Sequence, residues 1–351
     1  MRSTINRTLI IRFSSVGDIV LSSLLLRVLH RRFPRCQIDY LVKAEFADLV
    51  CHNPYVSHVI EFPTGGTFAD LTQFRKRIRS VHYDLVIDIH DSLRSRYLCF
   101  GAKPLVRINK RKIARFLLVK TKLNLYSLYG NTISVADRYV ETVKKFGVAN
   151  DGEGLEIHFP KQAEERVLGF LVEAGVSAEK PLIGICPSAK HQNKIWLKER
   201  FAETAVTLAR ENHASIVLLG SKDEESRCIE IEQLIHKAAP KTLVVSCAGR
   251  VSLTETAAIM DRCIIIVTND SGLMHIAAAR KRKVVAIFGP TVREFGFFPY
   301  GSKNAVVENT ALSCRPCTHI GLPVCPKGHF KCMTDIPTSQ VTESARRLLG
   351  E

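Results

Sequence analysis

One apolar run that becomes a helix and then a second apolar run constrains this chain more than any other stretch. Cys263-Ile-Ile-Ile-Val267 reads as a buried strand. Thr268, Asn269 and Asp270 end it, an Ala-rich helix follows to Ala279, and Lys283–Phe288 is the next strand, closed by Gly289, Pro290 and Thr291. Asp270 suits the N-cap, because its carboxylate can accept from first-turn N–H groups. Ser271 and Gly272 then lie where such groups point outward, and a helix start of this kind can hold a phosphate. His275, one turn on, leans back toward that end. Strand, acidic cap, helix and strand make half of a nucleotide-binding α/β unit. Taken alone, the stretch is explained equally well by an ordinary capped helix with a packed histidine.

The same alternation runs through the chain. Thr8–Phe13 reads as a strand, Ser14–Asp18 as a turn and Ile19–Leu29 as a helix. Strands follow at Gln37–Val42, Val56–Glu61, Asp84–Ile89 and Leu105–Ile108, with helices at Ala44–Cys51, Phe68–Val81 and Thr132–Phe146. After the Gly-rich stretch Gly147–Lys161 the pattern restarts, with strands at Leu182–Cys186, Ser215–Leu219 and Leu243–Val245 separated by helices. Alternation of this kind implies parallel pairing and doubly wound sheets. Two domains are expected, 1–155 and 156–351, with a ligand cleft between them.

Composition narrows the class. Apolar content of 46% with 24% charged residues is that of a globular chain. Arg12, Asp18 and Arg27 interrupt the apolar Leu9–Leu29 region, so it is neither a signal segment nor a span. A cytoplasmic protein is expected. The net charge of +16 is uneven. Residues 1–160 carry 25 Lys and Arg against 14 Asp and Glu, a net of +11, and the remainder carries +5. The first half should therefore face something anionic or a membrane surface. Seven cations interleaved with apolar residues over Arg107–Lys122 suit such a role, or a solvated helix face.

Three loops hold candidate chemistry. In Ser14-Ser15-Val16-Gly17-Asp18 the chain passes from strand to helix, and a carboxylate there can act as a general base if it faces a substrate hydroxyl; a plain capping aspartate is the alternative. The stretch has no Gly-Lys-Ser/Thr and no Gly-x-Gly-x-x-Gly, which argues against an ATPase and a dinucleotide dehydrogenase. The loop Pro187–Trp196 carries Ser188, Lys190 and Lys194, and a lysine here could clamp a diphosphate. Glu224 and Glu225 open a helix after a strand end, where one could accept from ribose hydroxyls or both could serve the helix dipole. Separately, Cys314, Cys317, Cys325 and Cys332 have zinc-like spacing, with His319 and His329 nearby. Free thiols in a folded loop are the alternative.

Together these stretches resemble glycosyltransferase family 9, the ADP-heptose:lipopolysaccharide heptosyltransferases, over nearly the whole chain. The resemblance rests on Ile10–Ile19, Asn53-Pro54, Lys194-Ile195-Trp196, Asn269–His275, Phe288–Thr291 and the Cys314–Cys332 segment. It implies the α/β GT-B fold, with two Rossmann-like domains facing each other across a cleft. The N-terminal domain would take an anionic glycolipid acceptor and the C-terminal domain the nucleotide sugar. It implies an inverting enzyme that moves a heptose, or a related sugar, from ADP-heptose to a lipopolysaccharide core, with no cofactor required.

Carried onto this chain, Asp18 matches the base, Lys194 the lysine on the donor phosphates and Asp270 the acid beside the sugar. Ser271, Gly272 and His275 match the phosphate-side helix start, and Glu225 the ribose acid, with Glu224 as its rival. Ser188 is assigned to the donor, and Ser14, Ser15, Gly17, Arg94 and Arg111 to the acceptor. Leu197 departs from the proline often found there. The Cys segment is expected to be structural and distant from the chemistry, with zinc as its candidate ion. Expected partners are the donor, the acceptor and, peripherally, the cytoplasmic face of the inner membrane, with no nucleic acid. A nucleotide-sugar epimerase and a non-enzymatic polyanion binder remain as rivals.

Overall fold

The computed structural model describes residues 5–130, 134–177 and 179–350. The chain divides into two compact units, Met1–Lys112 with Thr132–His158, and Ile113–Asn131 with Phe159–Glu351.

The first unit is built on five parallel strands: β1 (Arg7–Ile11), β2 (Gln37–Lys43), β3 (His58–Phe62), β4 (Leu85–Asp88) and β5 (Leu105–Arg107). Their order is β3-β2-β1-β4-β5. Strand order therefore reverses between β1 and β4, the place where an open parallel sheet leaves room for a ligand beyond the strands' carboxyl ends. Around the sheet pack α1 (Val16–Leu21), α2 (Ser23–Arg32), α3 (Phe68–Val81), α4 (Leu93–Leu98) and α6 (Val135–Glu141). The single helix expected over Ile19–Leu29 is two. Ser22 is fully buried between them, its hydroxyl bonded to the Ile19 carbonyl at 2.7 Å and to Tyr40 Oη at 2.8 Å. The helix expected over Thr132–Phe146 is shorter: its first two residues lie outside the described ones, and after α6 a 3₁₀ turn covers Lys144–Phe146. The buried Arg27 guanidinium binds both Asp151 oxygens at 2.8 and 2.9 Å, Glu156 at 2.9 Å and the Gly154 carbonyl at 2.7 Å, fastening the unit's last segment to α2.

The second unit holds six parallel strands: β6 (Leu182–Cys186), β7 (Ser215–Leu218), β8 (Val244–Ser246), β9 (Cys263–Asn269), β10 (Val284–Phe288) and β11 (Asn304–Glu308). Their order is β11-β10-β9-β6-β7-β8, so the reversal falls between β6 and β9. Its helices are α7 (Lys161–Glu173), α8 (Lys198–Asn212), α9 (Glu225–Ala238), α10 (Leu253–Arg262), α11 (Gly272–Ala279), α12 (Lys331–Thr334) and α13 (Thr338–Leu349). Trp196, the only tryptophan, is fully buried in this core, edge-on to Phe201 at 5.1 Å. All but the first residue of α5 (Lys112–Thr121) belongs to this unit: Ala114, Leu118 and Tyr126 bury against Phe295. No helix among the described residues is long and apolar enough to cross a membrane.

Candidate functional site

In the first unit the loops after β1 and β4 meet at the strand reversal. Arg12, just past β1, donates from Nη1 to the Ile89 carbonyl at 2.7 Å and reaches Asp18 Oδ2 from Nη2 at 2.5 Å. Asp18 lies in the first turn of α1 and is 17% exposed at its side chain. Ser15 Oγ donates to Oδ2 and Tyr139 Oη, from α6, donates to Oδ1, both at 3.1 Å. Burial alone would raise the Asp18 pKa, but the Arg12 charge and these hydrogen bonds hold it below the ordinary carboxylate value. Burial drives the Tyr139 phenol far above its ordinary pKa, so it remains a donor. The result is an ionised carboxylate with three fixed donors.

Asp88 shapes the neighbouring turn. It accepts from the His90 and Asp91 amides at 3.1 and 2.8 Å and from Ser95 Oγ at 3.0 Å. His90 follows β4, and burial, then the Arg12 and Lys110 charges, push its pKa down to about 3. Its Nδ1 is buried with no partner among the described residues. Of the residues assigned to the acceptor, Ser15 contacts Asp18 directly. Gly17 is buried in α1 beside it, and Ser14 lies in the loop leading to it. Arg94 stands exposed on α4, and Arg111 is buried before α5, 3.7 Å from Glu141.

In the second unit the loop after β6 faces the loop after β9. Lys194 Nζ lies 2.6 Å from Asp270 Oδ2, and Thr291 Oγ1, beyond β10, donates to the same oxygen at 2.7 Å. Asp270 is therefore not the N-cap. Its carboxylate is drawn to Lys194, and Ser271 takes the cap position without a side-chain bond to the helix. The first turn of α11 carries no acid, so its positive end is not neutralised from within the helix. Ser188 Oγ is buried with no partner among the described residues, and His275 is buried one turn into α11, its ring 6.4 Å from that of Phe297. A buried hydroxyl, a lysine and an uncapped helix start are the elements of an anion cradle. Glu224 closes the capping box of the 3₁₀ turn Lys222–Glu224 before α9, accepting from the Ser221 amide at 2.7 Å, whereas Glu225 meets only the exposed Lys222, at 2.8 Å, among the contacts described.

Sequence reasoning missed Arg12, Tyr139 and His90 around Asp18, and Thr291 and Arg315 around Asp270. Arg315 binds the carbonyls of Gly289, Thr291 and Asn309 and the Glu308 carboxylate, which fixes the turn that carries Thr291. Spacing gives no signal for such partners, because they come from segments up to 121 residues apart. The Cys segment corrects one expectation, its distance from the chemistry. No three ligand atoms of its Cys and His residues lie within 4.8 Å of one another among the described residues; Cys314 Sγ meets His329 Nε2 at 3.7 Å, and Cys332 is buried in the core. The segment is not distant from the loop that carries Lys194. The Leu322 amide donates to Asn193 Oδ1 at 2.8 Å and its carbonyl accepts from the Asn193 amide at 3.2 Å, one residue before Lys194.

Comparison with known proteins shows the family and the fold. The model of "Glycosyltransferase family 9 (heptosyltransferase)" matches residues 71–326. Lipooligosaccharide heptosyltransferase 2 of Haemophilus influenzae is 32% identical over 98% of this chain and 99% of its own. A family 9 glycosyltransferase from Veillonella parvula superposes with a TM-score of 0.80 at 23% identity, covering 99% of this chain and 98% of the other. The ADP-heptose LPS heptosyltransferase II of E. coli does so at 0.73 and 24%, covering 98% of each. Both likenesses show the GT-B fold of two Rossmann-like units.

Proposed function

We propose, for a chain that belongs to glycosyltransferase family 9, that it moves a heptose from ADP-heptose to a hydroxyl of a lipopolysaccharide core or a related glycolipid. That it is a glycosyltransferase follows from the family. The donor and acceptor are those named for its relatives. One observation carries the reading: the two strand reversals are equipped differently. The first holds an ionised carboxylate, Asp18, and the second an anion cradle of Lys194, Ser188 and the start of α11.

Asp18 takes the proton of the acceptor hydroxyl as that oxygen bonds to the anomeric carbon and the carbon–phosphate oxygen bond breaks. Its lowered pKa makes it a weak base, so the hydroxyl gives up its proton only as the new bond makes it acidic. The α11 start, Ser188 and Lys194 take up the charge left on ADP. Asp270 orients Lys194 and faces the sugar, and Glu225 accepts from the ribose. Ser14, Ser15 and Gly17 line the acceptor side, with Arg94 and Arg111 as its cations. The enzyme works in the cytoplasm and touches the inner membrane peripherally. An epimerase and a non-enzymatic polyanion binder are less favoured, because the relative aligned over its whole length is a transferase.

Incubation with ADP-heptose and a heptose-deficient lipooligosaccharide core tests the reading. ADP release that requires the acceptor supports it. Turnover of the nucleotide sugar alone, or none with any acceptor, overturns it.

A further inference from the structure

We propose that α3 and α4 of the first unit form a docking face for an anionic bilayer surface. This deepens, and rests on, the reading of the enzyme as one that meets its glycolipid acceptor at a membrane.

The amphipathic pattern of α3 buries Leu71 and Ile78 against the sheet. Phe68, at its start, falls outside that stripe and is 66% exposed. On α4 and just beyond it, Leu93, Tyr97 and Phe100 follow at intervals of four and three residues, which sets them along one face. Leu93 is 87% and Phe100 69% exposed. Scattered exposed apolar side chains need no explanation, but the aromatic ones here are joined. The Phe68 and Tyr97 rings lie 5.0 Å apart, and the Arg75 guanidinium covers Tyr97 at 4.9 Å and Phe100 at 5.0 Å. An aromatic ridge therefore runs from Phe68 on α3 to Phe100 just past α4, with both of its ends exposed.

Charge identifies the occupant. Lys76, Arg77 and Arg79 stand exposed on α3 and Arg94 on α4. The two helices carry one acid, Asp70, and its carboxylate is engaged by the Thr67 amide and hydroxyl at 2.7 Å. A second copy of this chain would bring the same cations against themselves. Aromatic and leucine side chains within a rim of Lys and Arg instead suit the boundary between acyl chains and anionic head groups. There, apolar burial and attraction to the surface potential add.

The test is cosedimentation of the full chain with vesicles of phosphatidylglycerol and phosphatidylethanolamine, and with vesicles of phosphatidylcholine alone. The wild type should partition onto the anionic vesicles at least tenfold more strongly, and the difference should shrink at high salt. The triple variant Phe68→Ser/Leu93→Ser/Phe100→Ser should lose tenfold or more, and Lys76→Glu/Arg79→Glu, on the side of α3 that carries Phe68, should lose a similar amount with the aromatic ridge intact. Unchanged melting temperatures would show both variants folded. Transfer to a short, lipid-free core acceptor should match wild type in the triple variant. Partitioning by the triple variant equal to wild type overturns the proposal, as does equal binding to both vesicle types. Loss of lipid-free transfer with vesicle binding intact would make the ridge part of acceptor recognition and also overturns it. A protein that binds anionic vesicles through this face but transfers no heptose would leave the proposal standing and remove the proposed reaction.

Discussion

Lys194 Nζ and Asp270 Oδ2 sit 2.6 Å apart, with side chains 12% and 6% exposed, on the two loops that flank the β6/β9 reversal. The pair does two things at once. It neutralises a carboxylate that would otherwise be buried beside the Thr291 hydroxyl alone among its described side-chain partners, and it holds an ammonium against the residue that precedes the α11 N-cap. Lys194→Ala should thus have two separable effects. ADP and ADP-sugar affinity should fall alike, by roughly 1.5–3 kcal/mol for a lost charge-assisted bond. The melting temperature should fall too, because Asp270 loses its counter-charge. The double variant Lys194→Met/Asp270→Asn should recover the melting temperature and not the ADP affinity. Calorimetry on the three proteins measures both quantities, and unchanged ADP affinity in Lys194→Ala would remove the lysine from the donor site.

Asp18→Asn keeps the shape of the side chain while removing the proton acceptor; its single oxygen can still accept from either Ser15 or Tyr139, but its amide nitrogen only donates. Transfer should fall by about 10²–10⁴-fold, the usual worth of a positioned base, with ADP affinity unchanged. Tyr139→Phe removes one donor that favours the ionised form of Asp18, so the Asp18 pKa rises. Because activity needs the carboxylate ionised, the acidic limb of the kcat profile should move to higher pH. A limb that stays in place would separate the phenol from the base.

His90 links acid pH to stability. In the folded protein it stays neutral down to about pH 3, whereas the unfolded chain takes up that proton below its ordinary value near 6.5. Between those limits the unfolded state binds more protons, so stability is lost as pH falls. At about 1.4 kcal/mol per pH unit, the loss by pH 5 is roughly 2 kcal/mol. Asp18 adds its own loss only below its ordinary value near 3.8. Urea unfolding at pH 7 and pH 5 should therefore show the drop in wild type and a flattened one in His90→Gln. An equal drop in both would place the proton elsewhere.

Gly321 combines a backbone φ of +118° with close approach to His191, and a Cβ there would meet the His191 side chain. Gly321→Ala should displace the 191–194 loop, weakening ADP binding several-fold even though residue 321 lies outside the loop that carries Lys194. Cys314→Ser/Cys317→Ser, which leaves the Asn193–Leu322 bonds untouched, should change it far less. Equal effects of the two variants on the ADP dissociation constant would refute this ordering.

The alternation of elements was legible because each carries its own local signal. The range expected for α3 matches, since Thr67 and Asp70 form a capping box at its start and His82 turns left-handed at its end. What periodicity cannot carry is competition from distant partners. Asp270 has the chemistry of an N-cap, but Lys194, 76 positions earlier, takes its carboxylate. Ser22 reads as one more residue of a helix, yet its buried bond to Tyr40 marks a break. The residues offered for catalysis were identifiable as motif residues, whereas Arg12, Tyr139 and Arg315 act through contacts that no spacing records.

Connectivity around α5 has a practical consequence for recombination. The chain leaves the first unit after Lys112, contributes residues 113–131 to the second, and returns for 132–158 before leaving again. A chimera joined at the Gly-rich stretch near residue 150 would exchange the second unit without the 113–131 segment whose Ala114, Leu118 and Tyr126 fill the space beside Phe295. Family members that differ at either surface would then clash or leave a void there. Productive exchange needs two grafts made together, 113–131 with 159–351, so the two halves of this enzyme are inherited as interleaved segments and not as consecutive modules.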